Sequence, residues 1–155
     1  MSKDNQSNIT LVKNKKAFFD YEILDRMEAG IVLCGSEVKS IKDGKVSIKE
    51  CYCRFINNEL YIIGMHVSEY KNANIFNHKT VHDRKLLLHR QEMKKLIIKT
   101  EIAGLTMVPL SVYKKKHLIK VEIALVKGKR EFDKRHTIKE RDAQKETARL
   151  FKNHR

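Results

Sequence analysis

Apolar and polar residues alternate along several short stretches of the chain, which is the pattern of half-buried β-strands. Residues 17–25 alternate aromatic or aliphatic side chains with polar ones, and residues 31–34 form a short, uniformly apolar run. We predict a strand in each of these stretches. The polar residue and the glycine at 28–30 predict a turn between the two strands.

Two further pairs of stretches predict β-hairpins. Residues 46–56 and 59–67 flank two asparagines, and asparagine tolerates the positive φ that a tight primed turn requires. Residues 105–113 and 117–126 flank three lysines. Because Pro109 has no N–H to donate to a β-ladder, we expect it at an edge or a bulge of this second hairpin.

Helical periodicity occurs in two places. Residues 36–44 begin with a serine, a good N-cap, and end with a glycine that can terminate a helix. Residues 89–104 predict a second, amphipathic helix whose inward side carries Met93, Leu96 and Ile97. Residues 69–85 are polar, basic and without clear periodicity, so we predict a long exposed loop of the kind that is usually functional.

These elements predict a mainly β protein, an OB-like antiparallel β-barrel of about six strands with two or three short helices. Small antiparallel sheets remove their exposed edges by closing into barrels. We expect the barrel to occupy residues 1–126, with about ten frayed residues at the N-terminus. Residues 127–155, the tail, have too few apolar side chains for a core of their own. We expect the tail to be disordered in free solution and helical when bound to RNA.

The charge of the chain predicts a polyanionic partner. The formal net charge is +14, and the tail contributes 11 basic and 5 acidic residues of the 33 and 19 in the chain. Nucleic acid and an anionic membrane surface both fit, but no run approaches the ~20 apolar residues of a membrane span. Neither is there a signal peptide, so we expect a cytoplasmic protein. Basic clusters beside aromatic residues favour RNA, whose unstacked nucleotides suit OB barrels.

The sequence gives no indication of catalysis. We find no nucleophile–base pair, no paired acids and no glycine-rich phosphate loop, so we expect a binding protein with no catalytic residues and no cofactor. Cys51 and Cys53 lie on one side of a predicted strand and, with Cys34 and a histidine, could form a zinc site. Their spacing does not match that of zinc-binding motifs, so we favour free core thiols and no metal.

Four segments resemble one family in the same order: NKKAFFDYEILDRMEAGIVLCGSEVKSIKDGK, RKLLLHRQE, YKKKHLIKVEIALVKGK and DKRHTIKERD. The chain resembles the SsrA-binding protein family (small protein B) from about residue 13 onward. The resemblance implies an OB-like barrel without catalytic activity that binds the tRNA-like domain of transfer-messenger RNA (tmRNA). It further implies entry into ribosomes stalled on truncated messages, for trans-translation. The alternative from the residues alone is a generic OB-type chaperone of single-stranded nucleic acid.

The basic clusters and the resemblance together predict two sets of site residues. The predicted RNA-binding set is Asn14, Lys15, Lys16, Glu28, Lys45, Arg84, Lys85, Leu87 and Lys120. The predicted set for the small-subunit RNA, the decoding centre and the message channel is Gly128, Phe132, Asp133, Lys134, Arg135, Lys139, Arg141, Leu150 and Phe151. Two alternatives stay open: Glu28 as a turn residue paired with a lysine, and Leu87 as a core leucine. We expect a monomer whose partners are tmRNA and the ribosome.

Phe132 departs from the family, in which histidine or tyrosine often occupies this position. A phenylalanine ring can stack on a nucleobase but cannot donate a hydrogen bond. We therefore expect stacking, and no contribution from a ring proton, at this position.

Overall fold

The computed structural model describes residues 8–73, 77–102 and 104–153. Its helices are α1 (Lys15–Asp20), α2 (Gly35–Lys42), α3 (Arg90–Thr100) and α4 (Glu131–Asn153). Its strands are β1 (Ile9–Lys13), β2 (Tyr21–Ile31), β3 (Val46–Ser47), β4 (Tyr52–Ile56), β5 (Glu59–Ile63), β6 (His66–Val67), β7 (Arg84–Leu87), β8 (Leu105–Lys115) and β9 (Leu118–Gly128).

Six antiparallel strands form a closed ring in the order β8, β4, β5, β7, β2 and β9, and β9 pairs again with β8. Strand β1 is added to β8, and β3 pairs with β6 in a separate two-stranded sheet. The ring closes because β8 pairs with β9 along nearly its whole length and with β4 at one residue pair. The predicted OB-like barrel of about six strands is confirmed.

The barrel core consists of the inward residues of these strands, and two helices cover it. Ile62, Val121 and Ile123 are fully buried, as is Ile41 of α2, and Leu96 of α3 is almost so. The core also contains the thiols of Cys51 and Cys53, which confirms the prediction of core thiols. Burial raises the pKa of Cys51 to about 12, so this thiol stays protonated at neutral pH.

The two strands predicted for residues 17–34 are wrong in detail. Residues 17–20 of that segment belong to helix α1, and β2 then runs without a turn from Tyr21 to Ile31. Helix α1 begins there because the Asn14 Oδ1 accepts a hydrogen bond from the Ala17 N–H at 3.2 Å. The predicted turn at 28–30 is absent because β9 pairs with β2 throughout that segment, and β2 is irregular only between Ile23 and Asp25.

Both predicted hairpin features are confirmed. Asn57 and Asn58 have φ angles of 50° and 62° and connect β4 to β5. The outer ends of this hairpin separate into the β3–β6 pair, and Gly64, with a φ of 83°, lies at the point of separation. Pro109 lies at a register shift between β8 and β9, which is the bulge expected of a residue without an N–H.

Three element boundaries differ from the prediction. Helix α2 has Cys34 rather than Ser36 as its N-cap, and the Cys34 N–H donates to the Glu37 carboxylate at 3.0 Å. The predicted loop 69–85 ends earlier, because Arg84 and Lys85 belong to β7. Strand β1 begins at Ile9, inside the predicted frayed segment, of which residues 1–7 lie outside the described residues.

The tail of this structure is helix α4. It follows β9 closely, since β9 extends to Gly128, two residues beyond the predicted end of the barrel, and α4 begins at Glu131. Its apolar side chains, among them Phe132 and Phe151, are exposed, so α4 adds little to the core. Its predicted disorder in free solution stays a prediction.

Candidate RNA-binding surface

The strand register brings three of the predicted RNA-binding residues to one outer face of the barrel. Leu87 of β7 lies opposite Gly30 of β2, Gly30 lies opposite Lys120 of β9, and Lys120 lies opposite Tyr113 of β8. Glu28 is two residues from Gly30 on the same strand and therefore points to the same side. We call the surface formed by Glu28, Leu87, Tyr113, Lys120 and Glu122 the β2–β9 face.

Glu28 lies in a polar network at the centre of this face. Its carboxylate accepts a hydrogen bond from the Tyr113 hydroxyl and two longer ones from the Lys115 Nζ, at 3.3 and 3.4 Å. The hydrogen bond from Tyr113, helped by the charges of Lys115 and Lys120, holds the pKa of Glu28 below its ordinary value. Glu28 is therefore an ionised acceptor that is held in one orientation, yet its side chain remains 37% exposed.

A second carboxylate, Glu122, lies directly opposite Glu28 across the β2–β9 ladder. Like charges at opposed positions destabilise a sheet. Here two donors compensate: the Ser111 Oγ donates to Glu122 at 3.2 Å, and the Arg26 Nη1 lies 3.6 Å from its Oε1. Two carboxylates held side by side among donors offer acceptor oxygens to the amino groups of a ligand.

These side chains line an open concave site of about 400 Å³ between β1, β2, β8 and β9. Thr10 and Met27 complete its lining, together with Asn8. Polar donors, polar acceptors and an apolar side chain thus share one depression. This mixture suits a nucleobase, which presents a flat apolar surface and a polar edge.

Leu87 is an exposed residue of this face and not a core leucine. It is 50% exposed, whereas its neighbour Leu86 is 1% exposed and lies in the core. A Cβ on Gly30 would lie 3.3 Å from the Leu87 Cβ, so glycine leaves room for the leucine to lie across β2. The alternative that Leu87 belongs to the core is wrong.

The interpretation of Glu28 as a turn residue is also wrong, because Glu28 lies within β2. Its pairing with a lysine, which that alternative included, does occur, since Lys115 contacts both carboxylate oxygens.

Asn14 is 2% exposed, and its side chain is used within the protein. Besides capping α1, its Nδ2 donates to the carbonyl oxygens of Ile48 at 3.2 Å and of Pro109 at 3.0 Å. Asn14 therefore offers no surface for direct contact with RNA in this structure. Its side chain holds α1 and β8 together.

Arg84 is 1% exposed and forms a buried ion pair with Glu37, its Nε lying 2.8 Å from the Glu37 Oε1. Its Nη1 donates to the carbonyl oxygens of Met65 at 2.7 Å and of His82 at 3.2 Å. The guanidinium is thus satisfied inside the barrel. This burial contradicts the prediction that Arg84 contacts RNA, because a strand places residues 84 and 86 on the inner side and residues 85 and 87 on the outer side.

The remaining lysines of the predicted set are accessible but scattered. Lys85 lies on the same side of β7 as Leu87 and pairs with Glu59 at 2.8 Å. Lys15 and Lys16 lie on α1, and Lys16 pairs with Glu50 at 2.7 Å. Lys45 is exposed before β3, outside the row of residues that forms the β2–β9 face.

The structure divides the predicted ribosome set between the barrel edge and α4. Gly128 ends β9 opposite Tyr21. Two residues of α4 contact α1: the Lys134 Nζ lies 3.6 Å from the Asp20 Oδ1, and the Arg141 guanidinium lies 5.9 Å from the Phe19 ring centroid. The others are exposed on α4: Phe132, Asp133, Arg135, Lys139, Leu150 and Phe151.

A family model described as SmpB protein matches residues 11–153. The chain belongs to the SmpB protein family. The match spans the barrel and α4 together, so it covers both sets of predicted site residues. The family resemblance inferred from the four sequence segments is confirmed.

Known SmpB relatives match over nearly the whole chain. An SsrA-binding protein of Rickettsia canadensis (strain McKiel) is 52% identical over 143 residues, which cover 92% of this chain and 94% of that protein. An SsrA-binding protein of Clostridium acetobutylicum is 45% identical over 155 residues, which cover 100% of both. A solved chain described as "tmRNA-SmpB: a journey to the center of the bacterial ribosome" is 39% identical, with a TM-score of 0.65, and the match covers 82% of this chain and 93% of that one.

The concave site on the β2–β9 face also contains residues that the sequence reasoning missed: Arg26, Ser111, Tyr113 and Glu122. Ser111 and Tyr113 alternate with the buried Leu110 and Val112, and this alternation was the available signal. Which barrel face these residues share depends on strand pairing, which alternation alone does not give. Within the described ranges, no helix is long and apolar enough to span a bilayer, and no group of three or more potential ligand side chains could hold a metal ion.

Proposed function

We propose that this chain is an RNA-binding adaptor that binds the tRNA-like domain of tmRNA and delivers it to stalled ribosomes for trans-translation. The names of its SsrA-binding relatives and the description of the solved tmRNA-SmpB chain support this proposal. The role requires no catalysis and no cofactor. Such an adaptor acts in the cytoplasm, and we propose that it acts as a monomer.

The observation that carries the proposal is the mixed chemistry of the β2–β9 face. A protein that binds any single strand needs only cations and stacking rings. On this face the cation Lys120 and the exposed Leu87 lie in one cross-strand row, and the oriented carboxylate of Glu28 lies in the adjacent row. Carboxylates repel phosphates, so Glu28 favours RNA only where a base or ribose donor meets it.

We assign each residue a role on that basis. Lys120 contacts a phosphate, Leu87 packs against a base or ribose, and Glu28 accepts from a base amino group. Tyr113 orients Glu28. Asn14 and Arg84 act indirectly, by holding the strands and helices that present this face.

The tail acts on the ribosome in this proposal. Phe132, Leu150 and Phe151 are exposed along a helix of 23 residues, which at 1.5 Å per residue spans about 35 Å. A basic helix of that length fits an RNA-lined channel that a truncated message leaves empty. Gly128, Asp133, Lys134 and Arg135 lie at the barrel end of the tail, where we place the decoding centre.

A competition assay tests the proposal. Wild-type protein, a labelled tRNA-like RNA and an unstructured RNA of the same length are compared at one salt concentration. We expect a clear preference for the tRNA-like RNA. Equal affinities for the two RNAs would instead favour the generic chaperone.

A pair of matched variants tests the face itself. Glu28→Gln is expected to lower the affinity for the tRNA-like RNA by about 1–3 kcal/mol, because an amide keeps only one acceptor oxygen. Glu22→Gln changes the same residue type on the same strand at an exposed position outside the face, and is expected to have little effect. Tyr113→Phe should weaken binding less than Glu28→Gln does. The double variant Tyr113→Phe/Glu28→Gln should bind no more weakly than Glu28→Gln alone, because Tyr113 acts through Glu28. Equal effects of the two glutamate variants would rule out a specific role for Glu28.

A further inference from the structure

A second concave surface lies between helix α1 and helix α4, away from the β2–β9 face. It has a volume of about 590 Å³, and we call it the α1–α4 groove. Cations line it from both sides: Lys13 and Lys15 from the barrel, Arg141 and Lys145 from α4. None of these four has an acidic partner in the part of the chain that the structure describes.

Such an arrangement is unfavourable without a ligand. Like charges that converge in a cleft repel one another, and the cleft concentrates their field. A fifth cation of the lining, Lys16, is neutralised by Glu50, and Lys134 of α4 is neutralised by Asp20. The four cations without an acidic partner therefore fit an anionic ligand that extends along the groove.

Two aromatic rings specify the ligand further. Phe18 and Phe19 line the groove, the Lys13 Nζ lies 5.1 Å from the Phe18 centroid, and the Arg141 guanidinium lies 5.9 Å from that of Phe19. Both rings are partly exposed. A basic groove with accessible rings is the arrangement by which proteins bind single-stranded nucleic acid, since phosphates meet the cations while bases stack.

We propose that the α1–α4 groove binds a single-stranded RNA segment, with phosphates among the four cations and a base stacked on Phe19. A membrane surface fits less well, because the exposed apolar residues of α4, such as Phe132 and Phe151, are not part of the groove. The inference rests on the proposed function only for its class of ligand, RNA.

The position of the groove gives this binding a consequence. One wall belongs to the barrel and the other to the tail, and few other contacts join the two. They include the Lys134–Asp20 pair and the Lys129 Nζ, which donates to the Phe18 carbonyl oxygen at 3.3 Å. An RNA segment in the groove bridges the two walls and so fixes α4 on the barrel.

The affinity test uses a labelled oligouridylate of ~10 nucleotides, which has no tRNA-like fold. The groove variant is Lys13→Gln/Lys15→Gln/Lys145→Gln. The control is Lys94→Gln/Lys95→Gln/Lys152→Gln, which removes the same charge from positions outside the groove. We expect the groove variant to bind roughly tenfold more weakly, with a salt-dependence slope lower by about 2, since each phosphate contact on a single strand contributes ~0.7. Equal losses in the two variants would overturn the proposal.

Two further readouts distinguish a stacked RNA segment from a ligand held by charge alone. Phe19→Leu should lower affinity about fivefold or more with the salt slope unchanged, because it removes stacking and no charge. Hydrogen exchange of residues 131–153 should slow when the oligouridylate binds the wild type and not when it is added to the groove variant. Unchanged exchange in the wild type would overturn the bridging role. Groove-dependent binding to anionic vesicles without binding to the oligouridylate would assign the groove to membranes instead.

The outcome for the groove is independent of the proposed function. If the wild type shows no preference for a tRNA-like RNA, that function fails, while the oligouridylate comparison still reports on the groove. Thermal unfolding of each variant checks that the barrel is intact. We expect an intact barrel in the lysine variants, since none of the substituted lysines is buried.

Discussion

Arg84 lies in a basic cluster that predicts RNA binding. Replacing it with leucine tests whether its role is to contact RNA or to stabilise the barrel. In the structure Arg84 is buried and forms four contacts: with the Glu37 carboxylate and with the carbonyl oxygens of Met65, His82 and Thr80. We therefore expect Arg84→Leu to destabilise the barrel. RNA affinity, measured on the folded fraction at low temperature, should change little.

The size of the effect follows from these contacts. Removing one partner of a buried ion pair leaves an uncompensated charge and costs about 3–5 kcal/mol. Glu37 would keep only the Cys34 N–H and the His82 ring, and the three carbonyl oxygens would lose a donor. For a chain of this size, ~2–4 °C of melting temperature accompanies each kcal/mol. We expect the melting temperature to fall by about 6–20 °C.

The pH dependence gives a second check. Burial alone would raise the pKa of Glu37, but the Cys34 N–H, His82 and Arg84 together hold it below its ordinary value. A carboxyl whose pKa is lowered by folding stabilises the protein above its unfolded pKa, and this contribution is lost as the pH falls through the folded value. The difference in melting temperature between wild type and Arg84→Leu should therefore be largest near neutrality and narrow in acid.

The assay combines thermal unfolding by circular dichroism with RNA binding by fluorescence anisotropy. Lys120→Gln, on the β2–β9 face, is the control and should show the opposite result, a weaker RNA complex with an unchanged melting temperature. If Arg84→Leu keeps its melting temperature and loses RNA affinity, the structural assignment of Arg84 is refuted.

Three further predictions concern the ends of the barrel. Asn14→Ala should lower the melting temperature and leave the RNA affinity of the folded protein intact. It removes an N-cap worth ~0.5–2 kcal/mol and the donor to two buried carbonyl oxygens. An unchanged melting temperature would contradict this. A chain stopped after Arg130 should melt cooperatively and still bind RNA at low salt, since β9 ends at Gly128; loss of either property would show that α4 is part of the barrel. Lys134→Ala with Arg135→Ala should leave tmRNA binding within a few-fold while peptide tagging on stalled ribosomes collapses, and a parallel loss of both activities would place these residues on the tmRNA-binding surface.

The sequence predicts those features that depend on neighbouring residues. The asparagine pair between β4 and β5 and the bulge at Pro109 follow from backbone preferences of single residues, and both were predicted. Helix α1 was missed because the alternation of residues 17–25 indicated a strand, although the N-cap hydrogen bond from the Ala17 N–H to the Asn14 Oδ1 is local. No local pattern contains the contact that holds α1 on β8, in which the Asn14 Nδ2 donates to the carbonyl oxygen of Pro109, 95 residues away in the chain.

The site shows the same division. Alternation indicates that residues 84 and 86 lie on one side of a strand and residues 85 and 87 on the other, but it does not say which side is inward. The pairing of Leu87 with Gly30 of β2 decides that question. It places Arg84 inside the barrel and Leu87 outside, although the basic cluster alone favoured Arg84 as an RNA contact.

The closure of the ring has a consequence for biosynthesis. Strand β2 is made early, but its main partner β9 is made about a hundred residues later, since Tyr21 pairs with Gly128. At ~5–20 residues per second, β2 waits roughly 5–20 s for that partner. During this interval its backbone donors and acceptors along the β9 side are unpaired, and the nascent chain presents an open sheet edge. The surplus of lysine and arginine that serves the finished protein in binding RNA also keeps neighbouring nascent chains apart at this stage, because like-charged chains repel one another.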